Sequence, residues 1–393
     1  MMSLSRPFPR LDPARAGLLT LLFMSLLAFG LLMAAGPAGA QTEGRAVESE
    51  APTEGNVPGG HLGTNSDADF WRAIRHGEQG MVSIPDKQAG QMIQSEGDNW
   101  RAIRNGPIST FGIWVLLVML GLLALFFALR GRIRIDAGPS GRTIQRFNGL
   151  ERFAHWLTAS SFIVLAITGL FMLYGRHLLG DAGDSGDFGA LHQAYASFML
   201  WGKMAHNYLA FAFMVGVALM FVLWVRHNLP NKYDLEWIAL GGGMLSKSLH
   251  PPAKKFNAGQ KVIFWSVILG GLSLGLSGVA LLFPFQFSFF NDTFVVLNMV
   301  GFSLPTDLTP MQEMQLSQLW HTVVALVLIA IILAHIYIGS LGMEGAFAAV
   351  GTGQVDENWA REHHSVWVAQ LKGEPLPEFG ASARRHDSQQ PAE

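Results

Sequence analysis

Leu319-Trp-His-Thr-Val-Val-Ala-Leu-Val-Leu-Ile-Ala-Ile-Ile-Leu-Ala-His335 is an apolar run with a histidine near each end. His321 and His335 stand 335 − 321 = 14 positions apart. On an α-helix 14 residues rise about 21 Å and turn about 1400°, within roughly 40° of a whole number of turns. The two imidazoles therefore lie near one face, at two depths of a bilayer core. Ionisable side chains inside a membrane segment are costly and face the bundle interior, where they have a task. Two histidines stacked in this way point to two metal centres, one above the other.

The rest of the 393-residue chain fits a membrane setting. Hydrophobic residues make up 50% and charged residues 14%, against about 25% charged in soluble domains. The 17 Met, 11 Trp and 27 Phe suit a bundle that faces lipid outside and a cofactor inside. A net charge of −2 supplies no basic footprint, which excludes nucleic acid as a partner. The chain has no cysteine. Disulfides, cysteine-ligated iron–sulfur clusters, covalently attached haem and thiolate catalysis are thereby excluded within it. Any metal rests on histidine or oxygen.

Residues 1–40 read as a signal peptide or an uncleaved anchor. Arg6, Arg10 and Arg15 precede an apolar stretch from Leu18 to Met33, and Ala38-Gly39-Ala40 resembles a cleavage site. Residues 41–107 are polar and contain a repeat, Trp71-Arg-Ala-Ile-Arg75 and Trp100-Arg-Ala-Ile-Arg104, read as short capped helices ending at Gly77 and Gly106. Such helices either lie on the membrane surface or dock a partner. An additional transmembrane helix is predicted over 108–130 and a basic cytoplasmic loop over 131–152. Four more spans follow within 153–341, and 342–393 form a polar cytoplasmic tail whose Glu374-Pro-Leu-Pro-Glu378 and terminal segments read as disordered. The loops holding Arg130 to Arg152 and Arg226 to Lys261 are basic, whereas 284–318 lacks Lys and Arg altogether. All basic loops fall on one side, which fixes that side as cytoplasmic. The predicted fold is an all-α integral membrane protein: a four-helix core plus one N-terminal transmembrane helix after a signal peptide.

Depth sorts the membrane histidines into couples. His206 and His321 lie near the outer face, and His155 and His335 near the cytoplasmic face. Each couple draws on two helices, the arrangement that clamps a flat macrocycle between two axial imidazoles. The expectation is two b haems, with His155, His206, His321 and His335 as iron ligands. Zinc fits less well, because it wants three or four ligands in one place. His177, His192, His227, His250, His363 and His364 read as surface residues of loops and tail. Thr168-Gly169, Gly270-Gly271, Gly275 and Gly278 permit close approach of helices or of a macrocycle. No Asp or Glu stands in the middle of a span, which argues against an ion transporter.

At the cytoplasmic start of one core span, Asn257, Gly259 and Gln260 offer an amide, a bare backbone N–H and a second amide. A quinone presents two carbonyls to such donors and draws protons from one aqueous side. The three residues lie level with His155 and His335, so Asn257, Gly259 and Gln260 form a candidate quinone site beside the inner couple. Ordinary helix-start capping is the alternative reading of all three.

Several motifs together resemble the cytochrome b (gamma) subunit of membrane-bound respiratory formate dehydrogenase. They are Arg152-Phe-Ala-His-Trp156, Gly202-Lys-Met-Ala-His206, Phe256-Asn-Ala-Gly-Gln-Lys-Val-Ile-Phe-Trp265, Leu319-Trp-His321 and Ala334-His-Ile-Tyr337, with His227-Asn-Leu-Pro-Asn-Lys232 and Trp359-Ala-Arg-Glu-His-His364 beside them. The resemblance covers about 147–372. It implies haem ligation by His206 with His321 and by His155 with His335, and quinone reduction near Asn257, Gly259 and His335. It also implies partners at the outer face. A catalytic (alpha) subunit would carry a molybdenum or tungsten cofactor, and an iron–sulfur (beta) subunit would carry the clusters. The implied location is the bacterial inner membrane, with multiple passes. The alternatives are the cytochrome b of a nickel–iron hydrogenase or thiosulfate reductase and, from another class, a haem-free membrane scaffold or metal transporter.

Overall fold

A computed structural model describes residues 75–77, 97, 99–179, 189–246 and 249–380, with side chains described outside 176–196. The expected signal segment 1–40 lies outside the described residues. The chain divides into two units, 1–96 and 97–393; the second is the subject below.

Among the described residues five helices are long and apolar enough to cross a membrane: Asn99–Arg130, Gly149–Gly175, Ser197–His227, Ala258–Leu282 and Pro310–Gly342. The regular helices within and between them are α1 (Ser109–Arg130), α2 (Gly149–Leu179), α3 (Gly189–Trp224), α4 (Lys232–Ala239), α5 (Ala258–Leu282), α6 (Phe289–Met299) and α7 (Pro310–Tyr337). Three short helices close the chain: α8 (Ala348–Gly351), α9 (Glu357–His363) and α10 (Ser365–Lys372). The protein is an all-α, multi-pass membrane protein. Its one described ladder is a three-residue antiparallel pair, β1 (Thr143–Gln145) with β2 (Gln354–Asp356), in which Ile144 faces Val355.

Local sequence starts these helices where they start. Asn257 with Gln260, Thr309 with Gln312 and Asn231 with Asp234 form reciprocal capping boxes at α5, α7 and α4. Asn148 and Glu151 exchange the same two bonds, at 2.8 and 2.9 Å, at the head of α2. Each box satisfies two backbone donors that the first helical turn leaves open. The repeat copy at Trp100 does not stop at Gly106. Helix continues from Asn99 through a π-turn at Arg104–Ile108 into α1, because the apolar run beyond Pro107 propagates it.

Helix α2 packs along α3, α5 against α3 and α7, and α1 against α7. The α2–α3 approach requires Gly216: a Cβ there would stand 2.4 Å from Thr158 Oγ1 and 3.0 Å from its backbone nitrogen. Phe213, Val217, Val267, Ile268 and Leu328 fill the interior, while Leu129 and Val222 are 80% and 73% exposed on the outside. Apolar residues outward as well as inward are the mark of helices solvated by lipid.

At the basic end the loops and tail form a cap, which corrects the expectation of a loose polar tail. Val355, Ala360, Val366 and Val368 are wholly buried. The Glu374-Pro-Leu-Pro-Glu378 segment is held too. Glu374 pairs with Arg361 at 2.8 Å, and the Tyr233 hydroxyl donates to the Pro377 carbonyl at 3.3 Å. His363 and His364 are not surface residues; His364 is fully buried, its Nδ1 bonded to the Lys254 carbonyl at 2.8 Å. An apolar face at helical spacing draws this stretch inward despite its charged neighbours. Residues 381–393 lie outside the described residues.

Candidate functional site

The bundle interior brings four histidines into two couples. His206 of α3 and His321 of α7 have ring centroids 6.3 Å apart, and His155 of α2 and His335 of α7 have theirs 6.2 Å apart. Both members on α7 belong to one unbroken helix, so the couples lie at two levels about 21 Å apart along it.

At the outer level each imidazole Nδ1 faces a hydroxyl that has a helix carbonyl for its own hydrogen, which favours the Nδ1–H tautomer. The Thr168 hydroxyl donates to the Val164 carbonyl at 2.8 Å, so its oxygen accepts the His206 Nδ1–H, also at 2.8 Å. The Ser277 hydroxyl donates to the Ser273 carbonyl at 2.9 Å and accepts the His321 Nδ1–H at 2.9 Å. Each imidazole is left with an Nε2 lone pair, the form a metal takes. Behind each ring a glycine makes room: a Cβ on Gly169 would stand 3.4 Å from His206 Cε1, and one on Gly278 3.4 Å from His321 Cε1. A cavity, partly open to the bundle surface, lies between these rings; Phe162, Phe213, Met214 and Ile329 are among its lining residues. At the inner level His155 Nδ1 is buried and has no partner among the described residues.

Thr168 and Ser277 meet the two candidate ligands; the sequence reading named Thr168 only with Gly169, as a point of close approach for helices or a macrocycle, and did not single out Ser277. The signal was available: both spans carry a hydroxyl residue followed directly by glycine, Thr168-Gly169 and Ser277-Gly278.

The candidate quinone residues sit in the first turn of α5. The Asn257 side-chain oxygen and that of Gln260 are occupied by the capping box, which leaves the Asn257 amide NH₂ and the Gly259 backbone N–H as donors. Gln260 also lies 3.4 Å from the Arg146 guanidinium. The Trp237 ring lies over Gly259, where a Cβ would meet it at 2.8 Å. His335 is engaged with His155.

Around this turn the cap buries charge. Lys255 meets Glu151 at 2.6 Å, and Lys261 meets Asp234 at 2.7 Å. Arg146 is enclosed by the rings of Phe147, Phe256, Trp359 and Trp367, each 5.2–5.9 Å from its guanidinium carbon. Burial lowers its pKa to about 9, opposed by the nearby Glu151. Burial, with His250 and Arg146 adding to it, pushes His363 down to about 4. Burial and Arg146 hold His364 well below the usual histidine range. His227 is exposed, and His250 pairs with Asp136 at 2.9 Å. His177 and His192 fall within helices, and their side chains lie outside the described residues.

A bundle of membrane-crossing helices with facing imidazoles in its interior is the architecture of a membrane-bound b-type cytochrome. The chain belongs to the prokaryotic cytochrome b561 family, whose model matches residues 146–349. It is 26% identical over 233 residues to the cytochrome b556(Fdn) subunit of the nitrate-inducible formate dehydrogenase of Escherichia coli K12, covering 59% of this chain and 93% of that one. It is 26% identical over 230 residues to the cytochrome b556(fdo) subunit of formate dehydrogenase of the same strain, covering 58% and 94%. With the formate dehydrogenase cytochrome b556 subunit of Haemophilus influenzae it shares 24% over 218 residues, covering 55% and 78%.

The family implies haem b, and the residues present fit it. A metal–imidazole bond of about 2.0–2.1 Å, with the ring centroid roughly 1.1 Å behind its nitrogen, sets two trans imidazoles roughly 6.3 Å apart by their centroids. The couples stand at 6.3 and 6.2 Å. The Nδ1–H tautomers and the bare glycine faces at the outer couple suit the same group.

Proposed function

We propose that this chain is the membrane electron-transfer subunit of a formate dehydrogenase, taking electrons from an outward-facing partner and delivering them to quinone near the cytoplasmic face. His206 with His321, and His155 with His335, would each hold a haem b, which would supply a one-electron carrier at each level. Thr168 and Ser277 hold the outer imidazoles, and the apolar lining keeps water from them. Asn257 and Gly259 offer their free N–H groups to a quinone carbonyl, with Gln260 and His335 completing the pocket. Two electrons and two protons convert the quinone to quinol, the protons coming from the cytoplasm. The catalytic (alpha) subunit, with its molybdenum or tungsten cofactor, and the iron–sulfur (beta) subunit are the partners. They sit on the outer side of the bacterial inner membrane. The absence of cysteine from this chain agrees with clusters held elsewhere.

The observation that carries this reading is the pair of histidine couples at metal-bridging spacing. Similarity over 93% of the length of a formate dehydrogenase cytochrome b supports the choice of donor. The test is purification of the tagged chain with its partners from native membranes. The expected result is two b haems per chain in the reduced-minus-oxidised spectrum, reduced by formate and reoxidised by menadione. Haem content near zero sinks the reading. Haem reduced by hydrogen and not by formate would instead favour the hydrogenase type.

A further inference from the structure

We propose that Thr168 and Ser277 set the direction of electron flow by giving the outer haem a lower reduction potential than the inner one. The inference rests on the two-haem reading above. Its basis is an asymmetry between two couples that otherwise match in spacing. Both outer imidazoles have Nδ1–H fixed on a hydroxyl oxygen, at 2.8 and 2.9 Å. Both hydroxyls are buried, 6% and 5% exposed by residue, and each is itself locked by a bond to a helix carbonyl. At the inner level His155 Nδ1 is buried, and among the described residues no acceptor meets it.

An imidazole whose Nδ1–H is drawn toward an oxygen becomes more basic at Nε2. A more basic ligand stabilises the ferric iron over the ferrous iron and lowers the potential; hydrogen bonding around the axial ligand is one of the protein's levers on a haem. Electrons entering at the outer level then move toward the inner level downhill. Gly169 and Gly278 belong to the same device. Each lies directly after its hydroxyl residue, and a Cβ there would stand 3.4 Å from the ring that the hydroxyl holds. The same two-residue element thus serves one ligand from α2 and the other from α5. Thr168 and Ser277 are positioning residues, because they act through the histidines.

The test is a redox titration of the complete complex, followed by visible and electron paramagnetic resonance spectra, for the wild type, Thr168→Val and Ser277→Ala. His321→Ala, which lacks the outer haem, assigns the remaining midpoint to the inner one. The wild type is expected to show the lower midpoint at the outer haem. Each variant should move that midpoint upward and shift its g-values, with the inner midpoint unchanged. The conservative exchanges Thr168→Ser and Ser277→Thr should retain the wild-type midpoint. Should a variant lose haem, Ser277→Cys, which keeps the volume and weakens the acceptor, reads the same shift. A wild-type outer haem of higher midpoint overturns the inference. So do two retained haems whose midpoints stay fixed in Thr168→Val and Ser277→Ala. A wild-type complex with one haem or none brings down the two-haem reading instead, and this inference with it.

Discussion

Acid should loosen the cap through His363 and His364, and replacing His363 should remove its own share of the effect. His363 is neutral in the folded cap, its pKa lowered from 6.5 to about 4 by burial, with His250 and Arg146 adding to the shift and Asp136 opposing it. The unfolded chain therefore binds the proton first. The stabilisation is complete above pH 6.5 and is lost as the pH falls toward 4. At pH 4.5 the linkage relation gives a loss of about 2–3 kcal/mol, or about 80-fold in the opening equilibrium. His364, packed beside it and also held neutral, adds in the same direction. Glu357 and Glu374, held low by hydrogen bonds from Lys372 and Arg361, weaken in acid as well, but they are common to both proteins compared. The assay is amide hydrogen exchange of the α9–α10 peptide at pH 7 and pH 4.5, corrected for the intrinsic rate, in wild type and His363→Gln. Protection in the wild type should fall by about 80-fold more than in the variant. Equal pH dependence in the two proteins refutes the reasoning.

Three further outcomes follow from the packing and the site. Gly216→Ala puts a methyl group against Thr158 and should lower stability by about 1–3 kcal/mol, read as a depressed thermal midpoint in detergent; an unchanged midpoint would mean that the α2–α3 approach is looser than 2.4 Å implies. Lys255→Met takes the cation from the buried Glu151 carboxylate and should destabilise by about 3–5 kcal/mol, while Lys255→Met with Glu151→Leu should recover only part of it, because Glu151 also accepts from Trp224 Nε1 and the Asn148 amide; an additive double variant argues against the pair. Asn257→Ala removes the cap of α5 at a cost of about 1 kcal/mol and should raise the KM for menadione while formate still reduces the haem; an unaltered KM removes Asn257 from the quinone site.

The membrane spans and the depth of each histidine were legible because both depend on short-range quantities. A run of about 20 apolar residues crosses a bilayer wherever it occurs, and a helical rise of 1.5 Å per residue fixes how deep each imidazole lies within it. Basic residues at Arg130–Arg152 and Arg226–Lys261 set the expected sidedness by an equally local rule. The tail was misread on equally local grounds. Its charged composition suggested solvent exposure, yet Trp359, Val366 and Val368 belong to the buried face of the cap.

From sequence alone came a bundle of spans with imidazoles at two levels and a membrane cytochrome as the family it resembles. Only the tertiary structure decided what surrounds those imidazoles. Thr168 meets His206 across 38 positions and Ser277 meets His321 across 44; no window of sequence contains both ends of such a bond. It also decided that Arg146 is stacked among four rings and that His364 is sealed against Lys254, far along the chain. Depth along a helix is a property of one segment, whereas azimuth, tautomer and burial are properties of the neighbours that packing supplies.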